Sequence, residues 1–341
     1  MRLKVLQILP EFQEGGVERH VLNLSNALHT MGHSVTVVSA GGALQHLLDG
    51  PSHISMEVHR KNPVTGFLCA LRLAREAREG GFHIIHAHSR VPAWIAWWAS
   101  EMSRIPWMAT CHSFYSRNLG LIPYSRAGRL ICVSAAVRDF FDSVAPGVPK
   151  DVIYNGLPKS PFSWTGSGED VKQMVFVGRL TPIKGLQVLL AALDRVRDLP
   201  WFLHVLGDGP KMGEYRALVE ELCLTDRVRF WGFVKEPEEI MARCDCLVFP
   251  SLSEGMGLVL MRAVSMGMPV LASDIPAVRE LAQDIPHLVP PGDADAWGKA
   301  LQEFLLRQRA SALLPSRIPS MERMAAEVEE SYTRLIRGRC R

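Results

Sequence analysis

Short apolar runs alternate with longer amphipathic stretches along the whole chain. In the first half, apolar runs predict strands at 4–9, 34–38, 84–86, 108–110 and 130–133. Between them, apolar positions recurring every three to four residues predict helices at 18–31, 64–79, 93–103 and 135–141. The second half repeats the scheme, with strands at 173–177, 202–206, 228–231, 246–250 and 270–272 and helices at 185–197, 212–222, 237–242, 258–266 and 276–281. Strands buried on both faces read as unbroken apolar runs, and their alternation with helices predicts parallel sheets covered on either side. Two such series predict two doubly wound α/β domains, whose ligands belong at the carboxyl ends of the strands.

The pattern breaks once. Asn155-Gly156 is a turn signal, and the stretch 158–168 is rich in Pro, Ser and Gly. The expected division is a first domain at 1–155, a linker at 156–171, a second domain at 172–318 and a tail at 319–341. The tail is an amphipathic helix carrying Met321, Met324, Val328, Leu335 and Ile336, and it is expected to cross back onto the first domain. The space between two such halves is the expected site.

Composition narrows the function classes. A net charge of +3 on 341 residues is too small for a nucleic-acid partner. Residues 1–154 hold 15 Lys and Arg against 11 Asp and Glu. That imbalance is compatible with a phosphorylated acceptor, with an anionic membrane surface, or with ordinary scatter of charge. Seven cysteines without a CxxC pair argue against a disulfide framework and for a reducing, cytoplasmic setting. The opening MRLKVLQILPEF reads as a first strand rather than a leader, and no run reaches the roughly 20 apolar residues of a membrane span. Trp94, Trp97 and Trp98 suit either an interfacial contact or a buried helix, and the buried helix is the expected one.

Candidate chemistry concentrates in two segments of the second half. In GRLTPIKG, Gly178 and Arg179 follow a strand while Lys184 and Gly185 open a helix. Two cations beside a helix N-terminus suit a diphosphate, Arg by binding two oxygens at once. In SEGMGLVLMRA, Glu254 precedes Gly255, Met256 and Gly257, which lead into a helix. The glycines allow close backbone approach, and the carboxylate can accept hydrogen bonds from sugar hydroxyls or simply stabilise the helix start. In the first half, Gly15 and Gly16 open a helix after the first strand, His86 and His88 end one strand, and His112 ends the next. Two histidines two apart could bind metal, but no third ligand follows at a suitable spacing, so no metal site is expected. Asp293-Ala294-Asp295 has a metal-binding look, yet Asp293 follows Pro290-Pro291-Gly292 and precedes a helical run, which reads as an N-cap.

Taken together, these segments resemble glycosyltransferase family 4, retaining enzymes of the two-domain GT-B fold. GRLTPIKG is similar to the family's G-R-x-x-x-x-K-G, and the run from Pro250 through Leu281 to its E-G-F-G-L-V and G-x-P-V block. LGDGP, WGFV and PPGD also fall where the family places comparable turns, so the resemblance covers nearly the whole chain. It implies that Arg179 and Lys184 hold the diphosphate of a nucleotide-sugar donor, helped by the amides of Leu258 and Val259. Glu254 and the amides of Gly255, Met256 and Gly257 would hold the donor sugar, and Val234 with Gly207 would meet the nucleobase. Gly15 and Gly16 would meet the diphosphate from the first domain, and His112 would face the sugar. His86 would be structural and His88 would line the cleft. Tyr115 and Arg117 would face the acceptor.

One position departs from the family pattern. Eight residues after the first Glu the family has a second, which accepts from the ribose hydroxyls; here it is Arg262, which has donors only. Arg262 is expected to bind the nucleotide in a changed way, to turn aside and pair with an acid, or to mark a weakened, non-catalytic sugar-nucleotide-binding relative. The resemblance otherwise implies a cytoplasmic, metal-independent retaining transferase with no cofactor beyond its nucleotide-diphosphate sugar. Its acceptor would be a glycan or lipid-linked molecule of bacterial surface polysaccharide or lipopolysaccharide synthesis, with peripheral contact to the inner face of the membrane. An epimerase or phosphorylase of the same fold is the rival enzyme, but no set of acids suited to ring epimerisation is visible.

Overall fold

The computed structural model describes residues 2–281, 288–306 and 318–338. The chain forms two units, one of Met1–Pro158 with Pro319–Arg341, the other of Lys159–Ile318.

The first unit is a seven-stranded parallel sheet in the order β3-β2-β1-β4-β5-β6-β7. Its strands are β1 (Lys4–Ile8), β2 (Ser34–Ser39), β3 (Ser52–Ser55), β4 (Ile84–Ala87), β5 (Trp107–Cys111), β6 (Leu130–Cys132) and β7 (Lys150–Val152). The helices α1 (Gly16–Thr30), α2 (Pro63–Glu79), α3 (Arg90–Ser103) and α4 (Ala135–Val144) cover it. Local chemistry sets several of their starts. Asn62 accepts from the amides of Val64 and Thr65 with Pro63 at the first helical position, and Ser134 accepts from Val137. The edge strands β3 and β7 escape the pattern reading because SHIS and KDV contain almost no apolar run. A short edge strand has its sides only partly covered and so needs none.

The final helix, α11 (Met321–Gly338), belongs to this unit. Its Met321, Met324, Val328, Tyr332 and Leu335 are buried with Leu3, Val5, Leu24, Leu28, Ile84 and Met108. Each such side chain contributes about 1.5–3 kcal/mol by leaving water. Asp151 on β7 fixes its far end, accepting from Ser331 and pairing with Arg129 and Arg334.

The second unit is a six-stranded parallel sheet in the order β10-β9-β8-β11-β12-β13. These are β8 (Lys172–Val177), β9 (Trp201–Leu206), β10 (Val228–Gly232), β11 (Cys246–Phe249), β12 (Val270–Ser273) and β13 (Leu288–Val289). Its helices are α5 (Leu186–Asp194), α6 (Met212–Glu221), α7 (Pro237–Ala242), α8 (Leu258–Ser265), α9 (Pro276–Leu281) and α10 (Ala294–Leu306). Two apolar clusters, one built around Leu189, Trp201 and Trp297 and the other around Leu247, Leu260 and Val264, hold helices to the sheet.

Residues 159–171, expected as free linker, are tied into this unit. Trp164 donates its indole N–H to the carbonyl of Cys244, and Asp245 accepts from the amide and hydroxyl of Ser167 and the amide of Gln173. Cys244 and Cys246 are buried, and burial pushes the Cys244 thiol up to about 12, as befits packing rather than ligation. Asp293 accepts from the amides of Asp295 and Ala296 at the start of α10, the N-cap expected of it.

Candidate functional site

In each sheet the strand order reverses at one point, between β1 and β4 and between β8 and β11. Connections leave such a point in opposite directions and open a crevice at the carboxyl ends. The candidate residues cluster there.

In the second unit, Gly178 and Arg179 follow β8 and the loop Pro250 to Gly257 follows β11. Backbone packing keeps the first loop tight. Gly185 has φ +72°, and a Cβ there would lie 2.0 Å from the carbonyl oxygen of Pro250, so the Lys184 turn seats directly on the β11 loop. Gly207, after β9, would likewise drive a Cβ to 2.0 Å from the carbonyl of Gly178. Arg179 is exposed, and its side chain has no hydrogen-bond or ion-pair partner among the described residues. Lys184 is half-buried and its Nζ lies 2.5 Å from Oε1 of Glu254. The same oxygen accepts from the hydroxyl of Ser251 at 2.8 Å. Oε2 makes no hydrogen bond to the described residues, so one carboxylate oxygen is anchored and one is left for a ligand.

Gly257 precedes α8 in the left-handed conformation, φ +80°, with the Phe249 ring 3.3 Å from where a Cβ would stand. Only glycine turns the chain there without strain. The half-buried Leu258 and Val259 therefore open α8 with its first amides unpaired within the helix, while Gly255 and Met256 are buried beneath. Val234, after β10, packs partly buried against the cluster under α8. An exposed guanidinium, an ammonium held by a carboxylate, and a helix N-terminus thus share one edge of one sheet. Such a set can bind a polyanion.

Arg262 lies one turn into α8 and turns to α7. Its Nε is 3.1 Å from Oε1 of Glu238, and both side chains are mostly covered. Burial lowers the guanidinium pKa and Glu238 opposes that shift. Of the readings open in the sequence, pairing with an acid is the one the geometry displays. Glu238 had given no signal, since an acid in a helix's first turn is ordinary.

In the first unit, Gly15 and the exposed Gly16 open α1 beside the end of β1. His112 follows β5 and is half-buried. His88, expected to line a cleft, is instead fully buried, because its ring turns back between β1 and β5. Its Nδ1 is 3.1 Å from Nε2 of His112, and its Nε2 is 2.9 Å from Oε1 of Gln7. His86 is sealed between Tyr332 of α11 (2.8 Å) and Thr110 (2.7 Å). His20 on α1 packs edge-on against the His112 ring, centroids 4.8 Å apart.

Burial holds His20 at about 4 and His86 at about 3, and pushes His88 and His112 well below the usual histidine range. All four are neutral near pH 7. His20 also supplies the third histidine that spacing alone did not reveal, since the ring nitrogens of His20, His88 and His112 lie within 4.8 Å of one another. Gln7 and His20 were missed. The signal available was a polar residue inside the apolar strand LKVLQIL and a histidine on the inner face of α1. Arg90 stacks over Tyr115 at 5.1 Å, and Arg117 bonds the hydroxyl of Ser143.

Known structures share this architecture. A protein of Anabaena, HepE, in complex with UDP and glucose superposes with a TM-score of 0.83 at 19% identity, covering 97% of this chain and all of that one. A lipopolysaccharide outer core galactosyltransferase in its apo form gives 0.72 at 17%, covering 99% and 100%. The fold is that of the GT-B glycosyltransferases. In sequence, a phosphatidyl-myo-inositol mannosyltransferase of Mycobacterium leprae is 29% identical over 336 residues, 86% of each chain. Residues 14–160 match the model of Glycosyltransferase Family 4, and residues 171–307 match that of Glycosyl transferases group 1. The chain belongs to glycosyltransferase family 4 and is an enzyme that transfers sugars.

Proposed function

We propose that the enzyme moves a sugar, with retention of configuration, from a nucleotide-diphosphate sugar to a glycan or lipid-linked acceptor without a metal ion. The observation that carries this reading is the exposed, unpartnered Arg179 beside Lys184 and the α8 N-terminus. Cations fixed before the donor arrives supply the charge a metal would otherwise bring to the leaving diphosphate. Glu254 holds the donor sugar through Oε2, and within the first unit His112, Gly15 and Gly16 are the residues proposed to bind the donor. In the transfer, the bond from the sugar's C1 to the phosphate oxygen breaks with its electron pair going to phosphate. The acceptor hydroxyl oxygen bonds C1 on the same face, and its proton passes to that phosphate oxygen.

Arg179→Ala is expected to lower turnover about 10²–10³-fold, the scale for loss of one group stabilising developing charge. Donor turnover near the wild-type rate in that variant would sink the assignment. Thermal shift with UDP-, GDP- and ADP-sugars identifies the nucleotide. A second reading, altered nucleotide recognition, is favoured by the Arg262–Glu238 pair. With Arg262 engaged, ribose recognition passes to other groups, and discrimination between ribonucleotide and 2′-deoxyribonucleotide donors is expected to be weak.

Surface polysaccharide or lipopolysaccharide synthesis at the inner face of the membrane suits a further feature. Among the described residues no helix is long and apolar enough to cross a membrane. The outer face of α2, however, exposes Val64, Phe67, Leu68 and Leu71, followed by Arg72, Arg75 and Arg78. Phe67 leans edge-on against the half-buried Trp98. Arg72 and Arg75 pair with Glu76 and Glu79, so it is chiefly the apolar side chains that suit this face to the boundary of a bilayer. The wild type should cosediment with vesicles containing phosphatidylglycerol and Leu68→Glu should not; equal binding by both would remove α2 from the membrane contact.

A further inference from the structure

The first unit contains a buried polar chain of which the proposed transfer uses only one end. Gln7, fully buried on β1, donates its side-chain N–H to the hydroxyl of Ser25 on α1 at 3.0 Å. Its carbonyl oxygen meets Nε2 of His88 at 2.9 Å, and Nδ1 of His88 meets Nε2 of His112 at 3.1 Å. A neutral imidazole has one N–H, and a side-chain amide oxygen only accepts. With the Gln7 nitrogen directed at Ser25, its oxygen requires a proton on Nε2 of His88. That leaves Nδ1 of His88 as a bare lone pair, which requires a proton on Nε2 of His112. The last nitrogen, Nδ1 of His112, is then unprotonated, and it has no hydrogen-bond partner among the described residues.

We propose that Ser25, Gln7 and His88 are positioning residues that hold neutral His112 as its Nε2–H tautomer and present Nδ1 as an acceptor for a substrate hydroxyl. The importance of this for catalysis rests on the reading that His112 faces the sugars; the tautomer itself does not. An Nδ1–H would reverse that bond: the hydroxyl would have to accept, and its own proton would lose the acceptor that Nδ1 provides. The surroundings keep the chain neutral. His20 from α1 lies against His112 and His88, and His86 from β4 packs tilted against His88, centroids 4.1 Å apart. His86 in turn is bonded by Tyr332 and Thr110, and no carboxylate among the described residues is paired with any of the four rings. Burial of that group disfavours every imidazolium form.

The test combines nitrogen NMR of 15N-histidine-labelled protein with the pH profile of transfer. In the wild type, Nδ1 of His112 should resonate as an unprotonated nitrogen, and kcat/KM should be flat from pH 6 to 8. Gln7→Glu places a carboxylate on Nε2 of His88 and raises the pKa of that ring. Once charged, His88 donates from Nδ1 as well, so His112 must accept at Nε2 and move its proton to Nδ1. This variant should lose about 10-fold in kcat/KM at low pH and recover as pH rises. Ser25→Ala is the milder change should Gln7→Glu fold poorly. It frees the Gln7 amide to rotate and should give a mixture of His112 tautomers.

An Nδ1–H signal for His112 in the wild type would overturn the proposal. So would a flat profile in folded Gln7→Glu, or stoichiometric zinc binding abolished by His20→Ala, which would make the same nitrogens metal ligands. Full activity in His112→Ala with the expected NMR signals would instead refute only the placement of His112 at the sugars.

Discussion

The pair between Arg262 and Glu238 can be tested by exchanging its charges. Nε and Oε1 stand 3.1 Å apart, with only 14% and 23% of the two side chains exposed. Unit charges about 4 Å apart attract by about 4 kcal/mol at an effective dielectric constant of about 20. Desolvation of both groups offsets much of this, leaving a net contribution of about 1–2 kcal/mol. Arg262→Glu replaces that attraction with two facing carboxylates on α7 and α8, so the expected loss is about 3 kcal/mol. For a unit of this size it would appear as a fall of about 6–12 °C in the midpoint of thermal unfolding. The double variant Arg262→Glu with Glu238→Arg should recover about 2 kcal/mol of it, and a double-mutant cycle isolates that coupling. Calorimetry gives the stabilities and isothermal titration gives the affinity for UDP, GDP and ADP. If Arg262→Glu left the midpoint unchanged and bound a nucleotide more tightly, the pair would not hold in solution, and Arg262 would stand in the ribose position after all.

Two further outcomes follow from the same geometry. Burial keeps His20 near 4, against an ordinary 6.5, so between those values the unfolded chain binds a proton that the folded one does not. Its contribution is full above about pH 6.5 and lost as pH falls towards 4, amounting to about 2 kcal/mol between pH 7.5 and pH 5. Urea unfolding of the wild type and of His20→Leu should show that difference in pH dependence, and parallel curves would refute it. Gly185→Ala forces a side chain into a left-handed turn and against the Pro250 carbonyl. It should cost about 1–3 kcal/mol and displace Lys184 from Glu254, read as lower stability with weaker nucleotide binding; unimpaired nucleotide affinity would separate the turn from the site.

Much of the architecture is legible in the chain because a parallel strand covered on both faces must be continuously apolar, as Val175 to Val177 and Leu247 to Phe249 are. The strands that escaped, β3, β7 and β13, lie at or next to sheet edges, where little burial is required of them. Arg179, Lys184, Glu254 and the glycines were visible for a related reason. Glycine spacing and charge at a strand end record backbone approach and helix N-termini, which are local properties.

What the sequence by itself determined is therefore the α/β architecture, its repetition, and the local loops at the strand ends. The tertiary structure alone decided the partners. It set Glu238 on Arg262, Glu254 on Lys184, and Gln7 and His20 around His88 and His112. It also placed Tyr332, from the far end of the chain, on His86. The physical reason is range. Periodicity and turn chemistry act over a few residues, whereas a hydrogen bond between side chains depends on which strands become neighbours, and these partners lie from 24 to 246 positions apart.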